Sequence, residues 1–194
     1  MNERLKVIVF VLVLAFITSG VLLSVDALTA DRIQANQDAK LKSAILDAHD
    51  IDYTFGNINE VFDSQIQVIE SDGWTFYLNP NTNAVTFEVG GGGVWGPIEG
   101  ILTLEEDFET ILDLTIVQQE ETPGLGGVIA ERPYLETFVG KKMVPDFMIR
   151  NDSNSNQDNE IDAITGATNT SNKVEGFLNE DYSAAKTAWL SLNE

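Results

Sequence analysis

The chain predicts an α+β fold: an N-terminal transmembrane helix followed by a single domain with an antiparallel sheet and flanking helices. Three observations carry this expectation. Val7 to Val25 is a stretch of 19 residues without a charge. Trp74, Phe76 and Leu78 alternate, as do Val85, Phe87 and Val89, which is the period of a strand with one buried face. Val174, Phe177, Leu178, Ala185 and Trp189 keep helical spacing near the C-terminal end.

The apolar stretch is close to the roughly 20 residues that cross a bilayer as a helix. Arg4 and Lys6 precede it, Asp26 and Asp31 follow it, and Arg32 is the first basic residue beyond. The positive-inside rule then places residues 1–6 in the cytoplasm, residues 7–25 in the membrane as an anchor, and residues 26–194 outside. A cleaved signal peptide is the competing reading. The apolar core is long for that role, and no clear Ala-x-Ala site follows it. Leu28 to Ala48 continues in helical style, so one helix is expected to leave the membrane and run into the domain.

The sheet is expected to begin with a hairpin. Asn79-Pro80-Asn81-Thr82-Asn83 has turn composition and separates the two alternating runs. Ile101–Leu104 predicts a further strand, and Leu112, Leu114 and Ile116 another, joined by the acidic segment Glu105–Glu109. Tyr134–Val139 predicts a short helix and Asn151–Glu160 a polar loop. The last helix is expected from about Asn172, with Thr170 or Ser171 as N-cap. Asp50–Asp63 gives no clear signal.

Composition narrows the function. The chain has 194 residues, one histidine (His49) and no cysteine. Disulfides, thiolate zinc sites, iron–sulfur clusters and cysteine nucleophiles are excluded, and sites built on several imidazoles are unsupported. The formal net charge is −20. From Ser43 to Glu131 there are 17 acidic side chains and no lysine or arginine. Such a surface repels phosphate backbones, so nucleic acid is not an expected partner. It serves solubility, or attraction of sodium ions or a basic partner protein.

Three segments carry possible chemistry. Gly90-Gly91-Gly92-Gly93 precedes Val94-Trp95-Gly96-Pro97-Ile98. Four glycines allow positive φ and close backbone approach. No Gly-Lys-Ser/Thr follows, so a P-loop is excluded, and taken alone the run reads as a mobile turn after a strand. Glu121-Thr122-Pro123-Gly124-Leu125-Gly126-Gly127 reads as a sharp loop that presents Thr122 and backbone amides, with Leu125 as an apolar lid. Asp162-Ala163-Ile164-Thr165-Gly166-Ala167-Thr168 precedes the last helix. Gly166 and Ala167 leave the Thr168 hydroxyl with little bulk beside it. A phosphodiester there would meet free amides and the positive end of a helix dipole. A polar turn before a helix is the structural reading of the same heptapeptide.

In this order, behind one apolar helix, the three segments resemble the FMN-binding domain family. They look like the FMN-binding subunits of two related complexes, the C subunit of the sodium-translocating NADH:quinone reductase (Nqr) and the G subunit of the Rnf complex. Phe138-Val139-Gly140-Lys141-Lys142 and Thr170-Ser171-Asn172 add to the likeness. Trp95-Gly96, Gly126-Gly127 and Gly140-Lys141-Lys142 lean towards Nqr, and the short domain towards Rnf.

The resemblance implies FMN esterified through its phosphate to Thr168 by a flavin transferase, with Asp162, Thr165, Gly166 and Ala167 as recognition residues for that enzyme. It implies that Trp95, Thr122 and Leu125 lie near the isoalloxazine ring. It further implies an electron-transfer subunit, not catalytic alone, in a bacterial or archaeal cell membrane with its domain facing the periplasm or exterior. Other subunits of an Nqr/Rnf-type complex would be its partners. A stand-alone extracytoplasmic flavoprotein and a non-redox, membrane-tethered binding module are the alternatives.

Overall fold

The computed structural model describes residues 2–151 and 157–192. Two compact units divide the chain, Met1–Lys40 and Leu41–Glu194. Helix α1, Glu3–Ala48, contains a window apolar and long enough to cross a membrane by length and composition; none of that window is buried. No proline interrupts the helix, and its Thr and Ser hydroxyls at Thr18, Ser24 and Thr29 bond back to carbonyls one turn earlier.

In the second unit, α2 (Ile58–Gln65) precedes a five-stranded antiparallel meander. The strands are β1 (Gln67–Ser71), β2 (Trp74–Leu78), β3 (Val85–Gly92), β4 (Pro97–Leu104) and β5 (Ile111–Gln118), paired in chain order. The expected hairpin is present, with Phe76 opposite Phe87 and Leu78 opposite Val85. One more strand, β1, lies ahead of it. It turns into β2 through Asp72 and Gly73, both at positive φ, as a two-residue hairpin turn requires. Beyond β5 come a 3₁₀ turn at Gly126–Ala130, α3 (Arg132–Leu135), and the strands β6 (Met148–Arg150) and β7 (Glu160–Asp162). These two pair in parallel. Helix α4, Thr168–Ser191, ends the described fold.

Strand periodicity sends neighbouring residues to opposite sheet faces. Phe76, Phe87, Leu102, Leu104 and Leu114 join a core with Val174, Phe177, Leu178, Tyr182 and Ala185 of α4. Tyr77 and Ile101 join a second cluster with Ala44, Ile45 and Leu46 of α1 and Ile58 and Phe62 of α2. The acidic connection Glu105–Glu109 also contributes to the first core. Phe108 stands at φ 54°, and its ring stacks on Phe87 and Trp189. The Asp107 carboxylate fixes that loop by accepting from the amides of Glu109 and Thr110 and from the Thr110 hydroxyl.

Four expectations need correction. The glycine run is not a turn: Gly90, Gly91 and Gly92 pair with Glu99, Ile98 and Pro97, and only Gly93–Gly96 reverses the chain. None of the four takes positive φ. What the strand needs is space, because a Cβ on Gly91 would stand 2.8 Å from the Cβ of Phe177. Helix α4 starts at Thr168, so Thr170 and Ser171 lie inside its first turn and do not cap it; Ala167 holds the N-cap position. The helix after Arg132 is one turn long, and Glu136–Gly140 continues as turns. Glu160 belongs to a strand, while residues 152–156 of the expected polar loop lie outside the described residues.

Candidate functional site

The site is built where two loops meet the start of α4. Thr122-Pro123-Gly124-Leu125 is a four-residue turn closed by the Leu125 amide donating to the Thr122 carbonyl at 3.1 Å. Pro sets φ at its second position, and Gly124 takes φ +73° at its third, the pattern of a type II turn. The Gly127 amide also donates to the Thr122 carbonyl, at 2.9 Å, and turns the chain into the 3₁₀ segment. Leu125 is thereby held outward, 45% exposed.

Across from it, Ile164–Ala167 forms a second tight turn. The Ala167 amide donates to the Ile164 carbonyl, and Gly166 takes φ +81°. Ser171 braces this turn from inside α4: its hydroxyl accepts from the Ile164 amide at 3.1 Å and donates to the Ala167 carbonyl at 3.2 Å. Tyr134 braces the approach by donating its hydroxyl to the Asp162 carbonyl. Burial, first, and the Asp162 charge push the Tyr134 phenol up, while Ser171 pulls the other way; it stays a neutral donor. Leu125 and Gly166 touch closely, since a Cβ on Gly166 would lie 3.3 Å from the Leu125 Cδ2.

Between these turns and the reversal at Gly93–Gly96 lies a cleft of about 300 Å³. Val94, Trp95, Thr122, Leu125, Gly166, Ala167, Thr168 and Asn169 are among its lining residues. Trp95 is 72% exposed and Val94 43%, so the cleft has an apolar rim. Thr168 is half-buried and is the first residue of α4. Its hydroxyl has a long contact to the Asn151 side chain, 3.4 Å. No side chain caps the helix start, so its first amides point at this place unneutralised by a cap.

Of the eight residues singled out by sequence, six converge on the cleft: Trp95, Thr122, Leu125, Gly166, Ala167 and Thr168. Asp162 and Thr165 do not line it; both are exposed on the segment that leads to it.

One residue joins all three segments and was not among them. Glu121 is 5% exposed. Its Oε1 accepts from the Val94 amide at 2.6 Å and the Trp95 amide at 3.1 Å, and its Oε2 accepts from the Thr170 hydroxyl at 2.8 Å. Burial pushes this carboxyl up, but the hydrogen bonds from Thr170, Trp95 and Val94 and the charge of Lys173 together hold it below the usual carboxylate value. Only its place ahead of Thr122-Pro123-Gly124 marks it among the 31 acidic residues of the chain.

A second, larger cleft of about 550 Å³ lies along the other end of the glycine run. Trp74, Glu88, Gly90, Pro97, Glu99 and Asp181 line it; part of the glycine segment reaches it, but none of the eight residues above does.

The FMN-binding domain family matches residues 93–182. The C subunit of the Na(+)-translocating NADH-quinone reductase of Yersinia pestis is 29% identical over 167 residues, covering 83% of this chain and 59% of the relative. Its counterpart in Neisseria meningitidis is 34% identical over 91 residues, covering 44% of this chain and 35% of the relative. The chain thus spans less than two thirds of these relatives' length.

Two crystal structures share the fold. The C subunit from Parabacteroides distasonis has a TM-score of 0.63 at 21% identity, over 76% of this chain and 90% of that one. The Shewanella oneidensis protein has a TM-score of 0.65 at 17% identity, over 76% and 93%. Over residues 93–182 the chain is similar to the FMN-binding domain family, and in sequence and fold it resembles the C subunits of sodium-translocating NADH-quinone reductases.

Proposed function

We propose that this chain is a membrane-anchored flavoprotein subunit that carries FMN as a phosphoester on Thr168 and relays electrons within an ion-translocating oxidoreductase. The single observation that carries this reading is the convergence of Trp95, Thr122, Leu125 and the Thr168 hydroxyl on one cleft. The residues present suit the group. Uncapped amides at the start of α4 favour a phosphodiester at Thr168, by hydrogen bonding and by the helix dipole. The apolar rim of Val94, Trp95 and Leu125 suits a flat aromatic ring with one open edge. The cleft volume falls at the lower end of small-molecule sites, roughly 300–1,000 Å³, which leaves part of such a ring outside.

Bound FMN would supply the electron relay, so the protein needs no acid, base or nucleophile of its own. Thr168 would tether the group, Gly166 and Ala167 would leave room for the modifying enzyme, and Asp162 and Thr165 would be read by that enzyme. Trp95 and Leu125 would flank the ring, and Thr122 would offer it a polar contact. A tether also removes dissociation, which matters where free FMN is dilute.

The apolar window in α1, with Arg4 and Lys6 before it, supports a single-pass anchor with the domain outside a bacterial membrane. The relatives named above support membership of an Nqr-type complex over an Rnf-type one, with sodium as the ion moved and the other subunits as partners.

The test is coexpression of the full chain with a flavin transferase of the Nqr maturation system. The expected result is yellow fluorescence that stays with the polypeptide on a denaturing gel, and copurification with the other members of the complex in the native membrane. Flavin-free protein after coexpression would overturn the flavoprotein reading. Flavinylated protein that purifies alone would favour a stand-alone electron carrier.

A further inference from the structure

We propose that Glu121 is the positioning residue of the cleft, a buried carboxylate that clips its three walls together and fixes where Trp95 stands. The three walls come from distant parts of the chain: the Gly93–Gly96 reversal, the Thr122–Leu125 turn and the first turn of α4. Glu121 sits at the base of the second and bonds to the other two. One oxygen takes the amides of Val94 and Trp95, and the other takes the hydroxyl of Thr170, two residues past Thr168.

The surroundings are shaped to this carboxylate. A Cβ on Gly93 would lie 2.5 Å from its Oε1, and one on Gly126 would collide with its Oε2 and with the Thr170 hydroxyl. Two glycines in separate loops thus give way to the same group. The arrangement matters most for Trp95, whose side chain is largely exposed and whose backbone amide donates to this carboxylate. Without Glu121 the reversal at Gly93–Gly96 keeps only its Gly93 amide to Gly96 carbonyl bond. The Trp95 wall would then be free to swing, and the Val94 and Trp95 amides would lose their acceptor. Glutamine keeps an acceptor for those amides and offers its NH2 to the Thr170 hydroxyl, so it is the conservative variant.

Two readouts test this role; the second rests on the flavin reading of the cleft and the first does not. The full chain is compared with Glu121→Ala, Glu121→Gln and Thr170→Val. The first readout is amide hydrogen exchange without flavin. The Val94 and Trp95 amides are expected to exchange at least about tenfold faster in Glu121→Ala, with Glu121→Gln in between and the paired amides of β4 and β5 unchanged. The second readout is the visible circular dichroism and fluorescence quenching of flavin after coexpression with the transferase. Attachment to Thr168 is expected to persist in Glu121→Ala, with the dichroic signal lost and fluorescence raised, and Glu121→Gln is expected to restore most of both. Thr170→Val cuts one arm of the clip and is expected to loosen the start of α4 alone, so it decides the matter if Glu121→Ala does not fold.

Wild-type exchange at Val94 and Trp95 in a folded Glu121→Ala protein, or in the case of misfolding an unaltered α4 start in Thr170→Val, would overturn the proposal. If the wild-type chain takes up no flavin, the functional reading fails while the exchange result still decides the role of Glu121.

Discussion

The two clefts flank the same strand–turn–strand and differ in kind. Each is crossed by a carboxylate that holds a backbone amide: Asp181 accepts from the Gly90 amide at 2.8 Å in the larger, and Glu121 accepts from Val94 and Trp95 in the smaller. Asp181 makes this one contact beside Glu180, and burial, first, with that neighbouring charge pushes its carboxyl up despite the hydrogen bond from Gly90. Glu121 has three donors and is held down. The larger cleft has more room, but of the three marked segments only the glycine segment reaches it. The smaller one joins three segments, an exposed aromatic wall and a half-buried hydroxyl at a helix start. What distinguishes the smaller cleft is the convergence of groups and not its volume.

The largest effect expected from breaking this contrast is chemical. Thr168→Ala removes the only hydroxyl proposed as acceptor and should leave a folded protein with no covalent flavin, checked by in-gel fluorescence and by melting temperature. Covalent flavin retained by the variant would move the attachment elsewhere.

Next comes the strand that both clefts share. Gly91→Ala sets a methyl against the Phe177 side chain, at its Cβ, which cannot swing aside. Overpacking of this type costs about 1–3 kcal/mol. Urea unfolding should show that loss, with both clefts affected because β3 and α4 separate. An unchanged midpoint would mean that α4 is not packed here as described.

These same residues show what the sequence could and could not convey. The hairpin of β2 and β3, the apolar helix and the Pro-Gly loop were legible because periodicity and turn composition are local. Strand β1 was not, because it is an edge strand with mostly exposed residues and weak alternation, although Asp72-Gly73 marks its turn. Gly90–Gly92 read as a turn because glycine disfavours strands; the approach of Phe177 overrides that preference. The start of α4 read four residues late because Thr, Asn and Ser are weak helix formers. Ser171 ties the preceding turn to the helix from within, which no local signal reports. Six residues that line the smaller cleft were marked by their motifs. Glu121 was not, since its role depends on three partners distant in sequence.

The far face of the sheet offers a control on both clefts. His49 follows α1 and is buried, with its Nε2 2.9 Å from the Thr86 hydroxyl, which in turn lies 2.7 Å from that of Thr103. Burial pushes the imidazole down to about 4, only partly offset by the Tyr77 backbone and the Asp113 charge. The unfolded chain therefore binds a proton below about pH 6.5 that the folded chain refuses until about pH 4. Stability contributed by neutral His49 is complete above that window and falls as pH drops through it, by at most ~1.4 kcal/mol per pH unit. Urea midpoints between pH 7.5 and 5 should show this slope, and His49→Gln should flatten it. An equal slope in the variant would assign the effect to carboxylates.

The smallest effects come from neutralising the two cleft carboxylates, and their signs are expected to differ. Asp181 has a raised folded value, so its ionised form detracts from stability as pH rises above the ordinary aspartate value. Asp181→Asn keeps the bond from Gly90 and should leave stability at pH 7 equal or higher, within about 0.5 kcal/mol, with flavin content unchanged. Glu121 has a lowered folded value, so its contribution is present above the ordinary glutamate value and is lost as pH falls through the folded one. Glu121→Gln should lower the melting temperature at pH 7. Shifts of the same sign in both variants would remove the electrostatic part of the contrast between the clefts.

The most direct test of the central claim is peptide mass spectrometry on full-length chain coexpressed with the flavin transferase. The peptide containing Asp162–Thr168 is expected to gain the mass of FMN less water, with fragment ions locating the addition on Thr168. An unmodified peptide, or FMN on any other residue, would contradict it.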